Sequence, residues 1–124
     1  MARVLIIEDE ETDQFAYSEI LNARGHEIVL ARTGQEGVDL FIENPPDLAI
    51  VDIMLPGKDG FETIQEIAMS CPDARIIAVT AYDDRGKNGY LALAEFYGAV
   101  ESLHKPVDPH ELQDAVEKIL AQEP

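Results

Sequence analysis

Three acids, one hydroxyl and one lysine stand at matched places along this chain. Glu8 and Asp9 follow the apolar run Val4-Leu5-Ile6-Ile7, and Asp52 follows Leu48-Ala49-Ile50-Val51. Thr80, trailed by Ala81, follows the run from Arg75 to Val79; Lys105, between His104 and Pro106, comes after the run from Val100 to Leu103. Brought together, these groups have one coherent chemistry. Neighbouring carboxylates repel, and a hard divalent cation relieves the repulsion; Mg²⁺ takes a few carboxylates plus waters and a phosphate oxygen. A cation so placed also shields a carboxylate from an incoming phosphoryl group, so an aspartate can attack as nucleophile and form an acyl phosphate. The transferred oxygens then need partners, which a lysine supplies as a point charge and a hydroxyl as a hydrogen bond. Asp52, Thr80 and Lys105 fit nucleophile and partners; Glu8 and Asp9 complete the acidic set. An acid at one strand end is ordinary turn or surface chemistry. What argues for a site is the repetition of the position.

The elements that must position these residues are legible as βα units. Val4 to Ile7, Leu48 to Val51 and Arg75 to Val79 are short apolar runs, as strands buried on both faces require. Glu27 to Ala31 is a second, more polar strand and Val100 to Leu103 a weaker fifth. Between them lie helices: Thr12 to Arg24, stopped by Gly25; one opened by a Thr33–Glu36 capping box and ended at Asn44-Pro45-Pro46; Lys58 to Met69; and Tyr90 to Tyr97, ended by Gly98. Asp83 to Gly89 is polar and glycine-rich and reads as a loop. In the last helix Asp108 is the N-cap, Pro109 the first helical residue and Glu111 the box partner, with Leu112, Ala115, Val116, Ile119 and Leu120 on one face. Five such units predict a doubly wound, five-stranded parallel sheet flanked by five helices, with ligands beyond the carboxyl ends of the strands. That rim is where the three acids, the threonine and the lysine fall.

Composition narrows the function. The 124 residues predict a single domain over 1–124, and 46% hydrophobic content supports one core without staples. Nine Lys and Arg against 25 Asp and Glu leave a net charge of −16 with no basic run, which argues against nucleic acid and against an anionic membrane surface. One cysteine, Cys71, excludes an internal disulfide, and no apolar stretch reads as a signal peptide or membrane span, so a cytoplasmic protein is expected. Cys71 has no basic neighbour to activate it, and His26, His104 and His110 lack metal-ligand spacing.

With these residues in view, the chain resembles the receiver domain of two-component response regulators, with a chemotaxis-regulator-like, flavodoxin-like fold of strand order 2-1-3-4-5. Val4-Leu5-Ile6-Ile7-Glu8-Asp9-Glu10 is similar to the family's first strand and acidic pair. Val51-Asp52-Ile53-Met54-Leu55-Pro56-Gly57-Lys58-Asp59-Gly60 is similar to its phosphoacceptor segment. Val79-Thr80-Ala81 and Lys105-Pro106 match the other signatures in order. The resemblance implies a phosphoryl-accepting switch of a phosphorelay. Asp52 is phosphorylated from a histidine kinase or histidine phosphotransfer protein. Mg²⁺ is held by Asp9, Asp52 and the Met54 carbonyl, with Glu8 acting through a metal-bound water. Thr80 and Lys105 take the phosphoryl oxygens, and the Lys105–Pro106 bond is cis. It also implies that the output face is built from the fourth helix, fifth strand and fifth helix, where an as yet unidentified protein partner reads the change. Catalysis is limited to the domain's own phosphorylation and slow dephosphorylation. The net charge favours a monomer, while receivers also dimerise through the output face.

Two features depart from the family. Ser102 stands where a switching Tyr or Phe is usual, and a serine cannot fill or vacate a ring-sized pocket. The stretch from Thr80 to Lys105 is a few residues long, with the excess in Asp83 to Gly89. Both touch the output face, and they keep open a second reading, an interaction module that needs no phosphate. A third, a Mg²⁺-dependent phosphohydrolase, wants a second acid two residues after the nucleophile; that place holds Met54, and there is no cap domain.

Overall fold

The computed structural model describes residues 2–81 and 89–122. Its elements run β1 (Arg3–Ile7), α1 (Glu11–Asn22), β2 (Glu27–Ala31), α2 (Gly34–Glu43), β3 (Leu48–Asp52), α3 (Gly60–Ser70), β4 (Ile76–Thr80), α4 (Tyr90–Tyr97), β5 (Glu101–His104) and α5 (Pro109–Leu120). The strands form one sheet in the order β2-β1-β3-β4-β5, every neighbouring pair parallel. The doubly wound arrangement predicted from the alternating units is therefore the observed one.

Two apolar layers hold it together, because successive strand residues point to opposite faces. Leu5, Ile7, Ala49, Val51, Ile76 and Ala78 pack against Val38 and Phe41 of α2, Ile64 and Ile67 of α3, and Ala94 of α4. Val4, Ile6, Leu48, Ile50, Ile77, Val79 and Leu103 pack against Tyr17 and Leu21 of α1 and the Leu112, Ala115, Val116, Ile119 stripe of α5. The central strands β3 and β4 are buried along their whole length, which is why they read as unbroken apolar runs, whereas the edge strand β2 is half-exposed. Each fully buried Ile or Leu contributes about 2 kcal/mol by its removal from water.

Helix ends follow the side chains that cap them. Thr33 Oγ1 accepts from the Glu36 amide at 3.1 Å, but the Glu36 carboxylate accepts from the Arg32 amide, one residue before the partner a full capping box would use. Asp108 accepts from the His110 amide at 2.8 Å, with Pro109 opening α5. α3 starts two residues later than the helical pattern suggests. Asp59 is its N-cap, accepting from the Glu62 amide at 2.9 Å, so Lys58 and Asp59 belong to the preceding loop. Val100 is likewise outside β5 and exposed, leaving a four-residue edge strand. The segment Asp83 to Asn88, together with Tyr82, lies outside the described residues; Gly89 is the N-cap of α4. Among the described residues no helix is long and apolar enough to cross a membrane.

Candidate functional site

The carboxyl ends of β1, β3, β4 and β5 meet at one rim. Asp52 and Thr80 are the last residues of their strands, Glu8 and Asp9 follow β1, and Lys105 follows β5. Adjacent strands bring these ends level: Asp52 pairs with Val79, and Thr80 with His104. The Lys105 amide donates to the Thr80 carbonyl at 2.7 Å, and the Lys105–Pro106 peptide is cis. Thr80 is fully buried, and Ala81 beyond it is exposed.

Glu8, Asp9 and Asp52 each offer a carboxylate oxygen within 4.8 Å of the others. Glu8 and Asp52 are only 1% and 4% exposed, a costly place for negative charge without a partner. The Lys105 ammonium is that partner. It donates to Glu8 Oε1 at 2.9 Å, Asp13 Oδ2 at 2.8 Å and Asp52 Oδ2 at 3.2 Å. The other oxygen of Asp52 accepts from the Met54 amide at 3.0 Å, and Glu8 Oε2 from the Glu10 amide at 3.1 Å. One cation thus serves three carboxylates directly, with Asp9 beside them.

The imbalance has an electrostatic signature. Burial pushes the Glu8 carboxyl up to about 7, and the charge of Asp52 adds to this, outweighing the hydrogen bonds from Glu10 and Lys105. For Lys105 burial would lower the value, but the hydrogen bonds to Asp13 and Glu8 and the charge of Asp52 win, and the ammonium is held well above its ordinary value. Burial likewise raises the Tyr17 phenol, which faces the same charges.

The loop after Asp52 is fixed by backbone contacts. The Ile53 amide donates to the Val79 carbonyl at 2.8 Å, and the Gly60 amide returns to the Ile53 carbonyl at 2.9 Å. Gly60 must be glycine for this fold-back: a Cβ there would sit 2.3 Å from Ile53 Cα and 2.4 Å from the Asp52 carbonyl oxygen. Lys58 is turned away from the rim into an ion pair with Glu66 of α3. These contacts hold the backbone around Met54, whose side chain is exposed, next to the acidic group.

Three residues that the strand-end pattern does not single out also reach the rim, all from α1. Asp13 bonds Lys105, the buried Gln14 donates its amide to the Glu8 carbonyl, and Tyr17 is buried among the same charges. Their spacing was the available signal. Gln14, Tyr17 and Leu21 are the buried residues of α1, recurring at helical intervals, so the inner face of this helix begins polar beside the first acidic pair, where Asp13 adjoins Gln14, and continues as core at Leu21. Ser102 is at the same sheet edge but faces the other way, donating its hydroxyl to Glu95 of α4 at 2.5 Å.

The donor set suits a hard divalent cation: three carboxylates share one small space, and among the described residues one ammonium opposes them.

The family model of the response regulator receiver domain matches residues 4–117. Sporulation initiation phosphotransferase F of Bacillus subtilis is 30% identical over 118 residues, covering 95% of this chain and 93% of that protein. Protein PilH of Pseudomonas aeruginosa is 31% identical over 123 residues, covering 98% of this chain and 99% of its own. The crystal structure of a CheY-like response regulator receiver domain protein from Methanospirillum hungatei superimposes with a TM-score of 0.86 at 30% identity, covering 98% of this chain and 94% of that one. The rim of acids, threonine and lysine therefore stands in a chain that belongs to the response regulator receiver domain family.

Proposed function

We propose that this chain is a phosphoryl-accepting switch in which residues 1–124 act as one cytoplasmic receiver unit. A carboxylate oxygen of Asp52 bonds to phosphorus, the bond from phosphorus to the donor histidine's nitrogen breaks, and the imidazole leaves with the electron pair. The observation that carries this reading is the Lys105 ammonium bonded to Asp52 and Glu8 at the rim where Asp9 and Thr80 also end. Mg²⁺ bound there would offset the charge of the acids and of the incoming phosphoryl oxygens. Asp9, Asp52 and the Met54 carbonyl are assigned to hold it, with Glu8 acting through water. Lys105 and the Thr80 hydroxyl are assigned to the phosphoryl oxygens; Ala81 gives them an uncrowded approach, and Pro106 fixes the backbone after Lys105. The donor is a histidine kinase or phosphotransfer protein, and the product is a changed protein contact rather than turnover of an external substrate.

The test is an intact mass after incubation with acetyl phosphate and Mg²⁺. The expected result is a gain of one phosphoryl group that disappears in Asp52→Ala or with chelator. Uptake that persists in Asp52→Ala would remove the acceptor assignment.

Ser102 supports a second reading, a module that binds its partner without phosphate. It brings no ring to the output face, and its hydroxyl is engaged by Glu95. Partner affinity that is equal for the phosphorylated and unmodified protein would favour it.

A further inference from the structure

Lys105 has three N–H donors, and all three are used: Glu8 at 2.9 Å, Asp13 at 2.8 Å and Asp52 at 3.2 Å. An ammonium at the end of four methylenes is otherwise a loosely aimed charge. Here two shorter contacts, one to β1's exit and one to α1, fix its orientation, and the third N–H is left directed at Asp52. The side chain is largely buried, 15% exposed, so water is a weak competitor for these bonds. Asp13 lies in the first turn of α1, and the next residue, Gln14, ties that turn to β1's exit by bonding the Glu8 carbonyl.

We propose that Asp13 is a positioning residue for phosphoryl acceptance: it acts through Lys105, holding the ammonium so that its remaining donor meets the reacting end of Asp52. This rests on the acceptor reading above. It makes α1 part of the acceptor machinery rather than a covering helix only. It also gives Asp13 a role that the strand-end pattern does not assign. The bond is a hydrogen bond to an oxygen, so Asp13→Asn, which keeps an oxygen of the same reach, retains most of the function, while Asp13→Ala loses it.

The experiment is a double-mutant cycle on the rate of phosphoryl uptake from acetyl phosphate at saturating Mg²⁺. Asp13→Ala is expected to slow uptake about tenfold, the value of one charge-assisted hydrogen bond. Asp13→Asn recovers most of the rate. In a Lys105→Ala background Asp13→Ala changes nothing further, because its route of action is gone. An equal slowing in both backgrounds, or none in the wild type, overturns the proposal. A wild type that takes up no phosphoryl group at all counts against the acceptor reading instead. In that case the positioning claim is read from the ¹H–¹⁵N correlation of the Lys105 ammonium in the unmodified protein. The signal is expected in wild type and Asp13→Asn and lost to solvent exchange in Asp13→Ala; a signal unchanged in Asp13→Ala overturns the claim.

Discussion

The two ends of the sheet both carry buried or half-buried charge, and they handle it differently. At the amino end Arg3, Arg75 and His26 each have their own partners. Arg3 donates its guanidinium to the Asn44 and Pro45 carbonyls while its amide meets Asp47. Arg75 donates to the Ile119 and Gln122 carbonyls at the end of α5. The His26 ring lies between the Ala2 amide and Glu117. At the carboxyl end one lysine is divided among three carboxylates, with a fourth alongside. A balanced set of partners ties elements together and asks for nothing more. An unbalanced set holds electrostatic energy that a cation can release, which distinguishes a site from a brace.

That contrast can be broken most sharply at Lys105. In chelator, Lys105→Ala leaves Glu8 and Asp52 buried without their cation and is expected to cost about 3 kcal/mol in urea unfolding, with part of the loss restored by Mg²⁺. An unchanged midpoint would mean that the acids are not coupled through the lysine.

The next effect is in pH. Glu8 has its ordinary value, 4.5, in the unfolded chain and about 7 in the folded one. The fold therefore favours the protonated form. The stability this contributes is fully present below 4.5 and is lost as pH rises through 7. Metal-free protein should lose on the order of 3 kcal/mol between pH 4.5 and 8 from this residue. Glu8→Gln should flatten that slope, and an identical slope in the variant would place the pH dependence elsewhere.

The smallest effect is expected at the other end. Arg75→Met removes the bonds to the two α5 carbonyls and should cost about 1 kcal/mol while leaving phosphoryl uptake unaltered. A change in uptake would mean that the two ends are linked.

The carboxyl end was the more legible of the two in the sequence. Buried parallel strands announce themselves as apolar runs, and the residue that ends each run is the one the fold delivers to the rim. Asp52, Thr80 and Lys105 needed no more than counting. Asp13 was hidden because it sits in an acidic stretch, Glu8 to Glu11 and Asp13, whose composition is the same whether the carboxylates face solvent or a lysine nearly a hundred residues away. Only the helical period of α1 separates the two. The start of α3 differs from its helical pattern for a related reason: the pattern runs back to Lys58, but the fold-back of Gly60 onto Ile53 leaves Lys58 in the loop and Asp59 as the cap. The amino-end braces have no sequence signature: the Arg3 and Arg75 guanidinium groups bind carbonyls, which every residue carries, and His26 meets Glu117 across 91 positions of sequence.

β5 carries Ser102 towards α4, and Lys105, the residue that follows the strand, reaches towards α1, three positions away and on the opposite side of the sheet. In a strand the side is set by parity alone. A substitution in this short stretch therefore changes one side chain, whereas a residue gained or lost between Ser102 and Lys105 changes the side on which the next one falls. Such an indel would exchange the two audiences, turning the lysine to the helix that now meets the serine. The spacing, more than either residue, decides which helix each one addresses.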